Sequence, residues 1–276
     1  TVDYIVTPTS GADGFCVGEV FTVTVQVNPE PVIQPVNFGA ICSGTAFTVI
    51  PTNDGGSSLS DIVPVNTTYT WTVVDANGLV TGYSDEATAQ TSISQTLTNT
   101  SIVTQTVVYT VTPTSGDQGN CEGLPFTISV DVDPRPIMDP IDPQTICGGT
   151  AFTTPVLGAD VAGTDYNWIL LNVAMIPATI TGYPTDPTQA LVGTTIFNSG
   201  DDAYTLTYEF TPSFNGCVGP SKFFDITVEP APSVDFDILD QSVCSGGTSV
   251  QVNLDSETAP VDISWTIDPT LYPAIT

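Results

Sequence analysis

The sequence predicts an all-β chain of tandem two-sheet sandwiches set in a linear array. Three observations carry that prediction. First, Thr supplies 44 of the 276 residues and, with abundant Val and Ile, gives the β-branched side chains that suit strands. Second, short runs alternate apolar and polar residues, as at Val107, Tyr109 and Val111, and 23 Gly and 23 Pro punctuate them. Third, one order of landmarks recurs: a strand with a tyrosine, a Gly-rich tip with a cysteine, a second strand, a Pro-rich joint, and a cysteine in a Gly turn. It runs through Tyr4, Cys16, Pro29 and Cys42, and again 105 residues later through Tyr109, Cys121, Pro134 and Cys147. It returns less faithfully at Tyr208, Cys217, Pro230 and Cys244. A period of about 100 residues is the size of one β-sandwich.

Residues 1–31 read as the last two strands of an incomplete module. Val2, Tyr4 and Val6 alternate, the tip SGADGFCVGE follows, and FTVTVQV closes the hairpin. The prolines of Asn28-Pro-Glu-Pro31 stiffen the first joint and cannot continue a sheet interior. Residues 32–136 read as a complete module. A first strand turns at Cys42 into AFTVI, a polar loop Asn53 to Asn66 follows, and TYTWTVV puts Tyr69, Trp71 and Val73 on one face. A Trp in the third strand, packed between two sheets, is an immunoglobulin-like sign. Residues 137–231 repeat the plan, with Cys147 and Trp168 only 21 residues apart against 29 for Cys42 and Trp71, so the intervening loop is shorter. Helical periodicity is weak throughout, and the one run that shows it, Asn167 to Ile176, is as easily an edge strand and its turn. Residues 232–276, with Cys244 and Trp265 again 21 apart, open a further incomplete module. Each complete module is expected to hold about seven mostly antiparallel strands. Trp71, Trp168 and Trp265, with Tyr4, Tyr109 and Tyr208, are expected in the core, the tyrosine hydroxyls tying down a neighbouring corner.

The formal charge is −28, from 30 acidic residues against two basic ones, Arg135 and Lys222. Such a chain repels nucleic acid and anionic membranes. It suits solubility and mutual repulsion between neighbouring copies. No apolar run approaches the roughly 18 residues of a membrane span. With no His, and one Lys and one Arg, a Ser or Cys nucleophile lacks its ordinary base and phosphoryl transfer lacks its clamp. Pairs of carboxylates occur by chance among so many acids, so catalysis is not expected. No cofactor is required by any motif. Calcium is the one candidate: Asp131 and Asp133 share a strand face at a joint, and Asp139 and Asp142 lie just across it in sequence. The triplets Asn66-Thr-Thr68 and Asn99-Thr-Ser101 match the glycosylation acceptor but are frequent by chance.

Six cysteines sit in small turns, with no CxxC pair, which points to disulfides in an oxidising compartment. Three pairings are open. Pairing across a joint in sequence joins Cys16–Cys42, Cys121–Cys147 and Cys217–Cys244, with separations of 26, 26 and 27. Pairing within a module joins Cys42–Cys121 and Cys147–Cys217. Staggered pairing joins Cys42–Cys217. In stacked sandwiches the turn after the first strand lies at one pole and the tip between the last two strands at the other. The cysteines of one module then stand a strand length apart, beyond the roughly 4.4–6.8 Å a disulfide allows. Stacking favours Cys42–Cys217, while a one-strand shift in assignment restores the within-module scheme.

The cassettes YTVTPTSG…C.G..FT.SV.V.P.P and TICGGTAFT, with TYTWTVV between them, resemble the PKD-like, immunoglobulin-like repeats of giant surface proteins of Bacteroidota, such as the SprB-type gliding-motility adhesins. The WDFGDG pattern of ordinary PKD domains is absent; Thr72, Ile169 and Thr266 follow the three tryptophans. The resemblance implies export through the type IX route, a cell-surface, outer-membrane-associated location, and long fibres that adhere to a substratum or surface polysaccharide through other regions. The leading expectation is therefore a stalk whose partners are neighbouring modules of its own chain. Scarce Lys and Arg leave few tryptic sites, which suits exposure. Two alternatives stay open: glycan- or protein-binding modules, using the loop Asn53 to Asn66 and the tips near Cys121 and Cys217, or an accessory region of a secreted polysaccharide-degrading enzyme.

Overall fold

The computed structural model describes residues 1–11, 13–53, 61–116, 119–237, 241–244, 246–256 and 262–266. The chain forms two compact units. The first holds Thr1–Pro136 with Val161–Gly163 and Ser213–Val218; the second holds Ile137–Asp160, Thr164–Pro212 and Gly219–Thr276.

In the first unit, β1 (Val2–Val6) and β2 (Phe21–Val25) form an antiparallel two-stranded sheet. Eight strands follow: β3 (Val36–Cys42), β4 (Thr45–Val49), β5 (Thr68–Asp75), β6 (Val80–Thr81), β7 (Glu86–Gln90), β8 (Ile93–Asn99), β9 (Gln105–Thr114) and β10 (Phe126–Asp133). They make a five-stranded sheet in the order β3-β10-β9-β5-β7 and a three-stranded sheet in the order β4-β8-β6. Pairing is antiparallel except where β3 runs parallel to β10. The alternation read from the sequence becomes two faces. Along β9, Val107, Tyr109 and Val111 are fully buried while Thr106 and Thr110 face out. They meet Ile128, Val130 and Val132 on the neighbouring β10, and Phe47, Ile93 and Leu97 from the other sheet. The rings of Phe47 and Tyr109 sit 5.0 Å apart at 58°, a tilted arrangement that aromatic quadrupoles favour. Trp71 is buried, and its indole N–H donates to the Ser84 carbonyl at 3.1 Å. Tyr109 donates its hydroxyl proton to Gln95 Oε1 at 2.9 Å.

The plan repeats in β11 (Gln144–Cys147), β12 (Thr150–Ala151), β13 (Asp165–Leu170), β14 (Ile180–Thr181), β15 (Thr195–Asn198), β16 (Tyr204–Phe214), β17 (Cys217–Val218) and β18 (Lys222–Glu229), which belong to the second unit except for β17 and the last two residues of β16. Its sheets run β11-β18-β16-β13 and β12-β15-β14, and β17 pairs with the end of β16. Again the first strand, β11, lies parallel to the last, β18. Trp168 and Tyr208 pack edge to face at 5.5 Å. The Tyr208 hydroxyl donates to the Pro184 carbonyl at 3.2 Å, and the Trp168 indole to the Gln189 carbonyl at 2.8 Å. A 3-10 turn at Val173–Met175 follows β13, so of the two readings open for this stretch the edge strand and turn is the one that forms. β19 (Asp235–Phe236) pairs antiparallel with β20 (Leu254–Asp255).

One glycine recurs for a steric reason. Gly82 and Gly182 both hold positive φ, and a Cβ there would sit 2.2 Å from the Thr96 carbonyl oxygen and 2.4 Å from that of Thr195. Only glycine lets the backbone approach that closely.

Two core expectations are corrected. Tyr4 is 56 % exposed and Trp265 is 81 % exposed. The β1–β2 sheet has two strands with no facing sheet among the described residues, so Tyr4's face has nothing to close on it. Trp265 lies outside any named strand. Periodicity assigns a side chain to a face; burial needs a second layer.

The buried tyrosines set a pH response. Burial pushes the Tyr69 phenol up to about 12 and those of Tyr109 and Tyr208 higher still. An unfolded chain releases these protons near pH 10. Below that, both states hold them and stability is complete. Above it, the unfolded state sheds protons that the folded state keeps, so stability falls as pH rises through the folded values. Denaturant midpoints are expected to be flat between pH 7 and 9 and to drop beyond pH 10; a midpoint unchanged at pH 11.5 would contradict this.

Candidate functional site: a disulfide and its polar platform

The site grows from the parallel pairing of β3 and β10, which sets Cys42 opposite Asp133. The turn after Cys42 carries the chain from one sheet to the other. The Ser43 N–H donates to the Asp133 carbonyl and the Gly44 N–H to the Leu97 carbonyl, each at 2.8 Å. The Thr45 hydroxyl closes the turn on the Cys42 carbonyl at 2.6 Å. Under it sits Asn99, almost fully buried at the end of β8. Its Nδ2 donates to the carbonyls of Val103 at 2.7 Å and Val132 at 2.8 Å, and its Oδ1 accepts from the Ser101 N–H and hydroxyl, both at 2.8 Å. The Ser43 hydroxyl is bonded to the Asn99 backbone at both its carbonyl and its N–H. This is a satisfied buried network, which fixes one geometry.

The hairpin tip Ser213–Val218 belongs to this same compact unit. Phe214 pairs with Cys217 across a two-residue loop, Asn215-Gly216, in which both residues hold positive φ. That Asn-Gly turn matches the twist of its strands and puts Cys217 at a defined position. Cys42 and Cys217 form a disulfide, with Cα atoms 5.3 Å apart and a sequence separation of 175. Cys217 is 1 % exposed. Asn215 Nδ2 donates to Asp133 Oδ2 at 3.3 Å, and the Thr104 hydroxyl donates to Asp133 Oδ1. Arg135 links the turn to the tip: its Nε donates to the Ser43 carbonyl at 2.8 Å and its Nη1 to the Val218 carbonyl at 2.7 Å.

The structure thus brings Cys42 and Cys217 together and leaves Cys16, Cys121, Cys147 and Cys244 as thiols. The within-module pairs Cys42–Cys121 and Cys147–Cys217 do not form. The tip near Cys217, one of the loops considered for ligand binding, is taken up by this bond. Of the loop Asn53 to Asn66, residues 54–60 lie outside the described residues, as do 117–118 beside Cys121.

Of the four aspartates considered for calcium, Asp131 and Asp133 belong to the first unit and Asp139 and Asp142 to the second. Among the described residues no three or more His, Cys, Asp or Glu side chains gather to hold a metal ion. Asp133, 2 % exposed, spends its oxygens on Thr104 and Asn215, and Asp131 accepts from the Thr106 hydroxyl at 2.5 Å. Asp139 lies against Gly158 and Tyr166, where burial first and then the Asp139 charge raise the Tyr166 pKa; Asp142 is exposed. Arg135, four residues after Asp131, bridges two carbonyls. Of the two glycosylation triplets, Asn99 is buried with both Nδ2 donors engaged, and Asn66 is exposed.

Sequence reading missed the structural role of Asn99 and missed its counterpart Asn198 altogether. Both stand ten residues before a core tyrosine, Tyr109 or Tyr208, and that constant offset was the available signal.

Arg135→Ala is expected to lower the stability of the first unit by about 1 kcal/mol, since two hydrogen bonds to carbonyls are lost at a partly solvated place. Arg135→Lys is expected to recover little, because an ammonium lacks the fork that reaches both carbonyls. Urea melts of the two variants give the comparison.

The family profile described as PKD-like domain matches residues 1–31, 39–136 and 144–232. A comparison with curated proteins finds no match. Among solved structures, the chain is similar to protocadherin gamma B2 extracellular cadherin domains 1–5 at 12 % identity and TM-score 0.31, covering 93 % of this chain and 52 % of that one. It is similar to mouse cadherin-23 EC22–24 at 13 % identity and TM-score 0.37, covering 82 % and 75 %. It is also similar to the titin I-band fragment I67–I69 at 11 % identity and TM-score 0.34, covering 82 % and 86 %. The chain thus spans about half the length of the first of these. No helix among the described residues is long and apolar enough to cross a membrane.

Proposed function

Because the chain belongs to the PKD-like domain family, we propose that it is a stretch of stalk in a long secreted cell-surface adhesin. It bears pulling force rather than recognising a ligand or catalysing a reaction. PKD-like modules are generally non-catalytic and typically extracellular, which agrees with the absence of His and the scarcity of Lys and Arg. In its finer form the reading is a gliding-motility adhesin of the SprB type from Bacteroidota, exported by the type IX route, with modules at 32–136 and 137–231 between incomplete ones at 1–31 and 232–276. Adhesion to a substratum or polysaccharide then belongs to other regions of the protein. No metal is needed for this role.

The observation that carries the reading is the Cys42–Cys217 bond. It is set in a buried polar platform and ties together points 175 residues apart. A binding module would instead keep one loop chemistry from repeat to repeat. Here the repeated features are core tyrosines, sheet-switching turns and cysteines, while the loops differ.

The test has two arms. Antibody raised to this chain, with gold labelling of intact producing cells, is expected to mark filaments along their length outside the outer membrane. The purified chain, spread on a glycan array and on glass, is expected not to be retained. Intracellular label, or saturable glycan binding by the chain, would overturn the proposal.

A further inference from the structure

The second unit carries the same platform as the first, and there it is uncovered. Cys147 ends β11 opposite Glu229, as Cys42 ends β3 opposite Asp133. The Gly148 N–H donates to the Glu229 carbonyl and the Gly149 N–H to the Ile196 carbonyl, each at 2.8 Å, and the Thr150 hydroxyl caps the Cys147 carbonyl at 2.6 Å. Asn198 stands where Asn99 does, buried, with Nδ2 on the carbonyls of Asp202 at 2.9 Å and Val228 at 2.8 Å. The two backbone bonds of the turn, its threonine cap and the buried Asn beneath it therefore repeat, while the Ser43 hydroxyl bonds and the Arg135 bond have no equivalent, Gly148 and Ala231 standing at those places.

What differs is the cover. Asp133 is buried and Cys42 half-buried in the first unit, whereas their counterparts Glu229 and Cys147 are exposed in the second. Beside Cys147 lies an open recess of about 490 Å³, lined by Gly148, Gly149, Phe197, Asn198, Asp201 and Ala231 among others. In the first unit the corresponding turn is bonded to the hairpin tip through Cys42 and Arg135.

We infer that the surface around Cys147 is a receiving site for the cysteine-bearing hairpin tip of another PKD-like module, which it holds covalently through Cys147. The occupant is fixed by the seated example: a tight turn of small and amide residues whose cysteine lies inward and whose Asn amide meets the carboxylate that ends the parallel strand, Asp133 there and Glu229 here. The inference rests on the stalk reading for its biological setting, but its chemistry stands on the repeat alone. The step is thiol–disulfide exchange. The Cys147 thiolate attacks a tip sulfur held as a mixed disulfide with a small thiol. The Cys147–tip bond forms, the old bond breaks, and the small thiol leaves with the electron pair and takes up a proton from solvent.

The experiment uses the full chain with its Cys42–Cys217 bond intact. The probe is a backbone-cyclised peptide carrying Ser213–Val218, its cysteine capped as the 2-thiopyridyl disulfide; the thiopyridyl disulfide of glutathione is the control. Peptide mapping after brief reaction reports which thiol is taken. Relative to the control, the cyclic probe is expected to favour Cys147 over Cys16, Cys121 and Cys244 by about tenfold. Ala231→Arg, which restores the arginine found at position 135, is expected to raise that preference. Equal labelling of the four thiols, or the same preference from the glutathione control, would overturn the inference, and so would an Ala231→Arg chain that captures no faster. A failure of the stalk reading would appear in the cell-labelling experiment and leave this capture unchanged.

Discussion

Tyr109→Ala and Tyr208→Ala are each expected to destabilise their unit by about 3–5 kcal/mol, the cost of deleting a large buried aromatic side chain. Tyr4→Ala, at the same place in the repeat, is expected to stay within about 0.5 kcal/mol. The contrast follows from packing. Tyr109 is fully buried between the sheets and Tyr208 likewise, whereas Tyr4 lies on a two-stranded sheet with its ring largely in water. A typical domain is stable by about 5–15 kcal/mol, so either of the first two changes removes a large fraction. Tyr109→Phe separates ring from hydroxyl. It leaves Gln95 Oε1 with the Ser84 N–H at 3.2 Å as its remaining partner, and about 1 kcal/mol is expected to go. Urea unfolding followed by tryptophan fluorescence reads all four. The packing account would be wrong if Tyr4→Ala cost as much as Tyr109→Ala.

That contrast also shows how far the sequence reaches. Alternation placed Val107, Tyr109 and Val111 on one face and Trp71 and Trp168 in the core, because these are properties of a strand and its period. The burial of Tyr4 and Trp265 was not legible, since it depends on a facing sheet that no local pattern encodes. The parallel pairing of β3 with β10 was not legible either. It joins segments about 90 residues apart, and alternation does not distinguish parallel from antiparallel neighbours. The site was readable in part. Pole geometry favoured Cys42 with Cys217 among the open schemes, because turn positions follow from strand order. The partners of Asp133 were hidden. Two aspartates on one face suggested an ion, but the hydroxyl and amide that satisfy Asp133 come from Thr104 and Asn215, the latter 82 residues away. Arg135 was noticed for its charge, while its role rests on its fork geometry. Asn99 was noticed for a glycosylation triplet, while its role is to satisfy buried carbonyls.

Pulled by its two ends with the disulfide intact, the chain is expected to extend by about 600 Å less than it does after reduction. The bond bypasses a sequence separation of 175, and an extended residue spans about 3.3–3.6 Å. Force entering at residue 1 passes through Cys42 to Cys217 and leaves toward residue 276, so strands β4 to β16 lie off its path while the bond holds. The surrounding hydrogen bonds cannot do the same work. Those of Arg135 and Asn215 contribute about 1 kcal/mol each and dissociate under load, whereas the S–S bond must be chemically reduced. At rest the bond also stabilises: closing so long a loop removes about 5 kcal/mol of chain entropy from the unfolded state, at the upper end for a disulfide. Cys42→Ser/Cys217→Ser is therefore expected to match the reduced chain in both extension and denaturant midpoint. Cys147→Ser is expected to match the oxidised chain, because that thiol closes no loop within this molecule. Single-molecule force spectroscopy on the full chain, run with and without a reducing agent, gives the measurement. Equal extension in the two conditions would show that the enclosed strands carry the load after all.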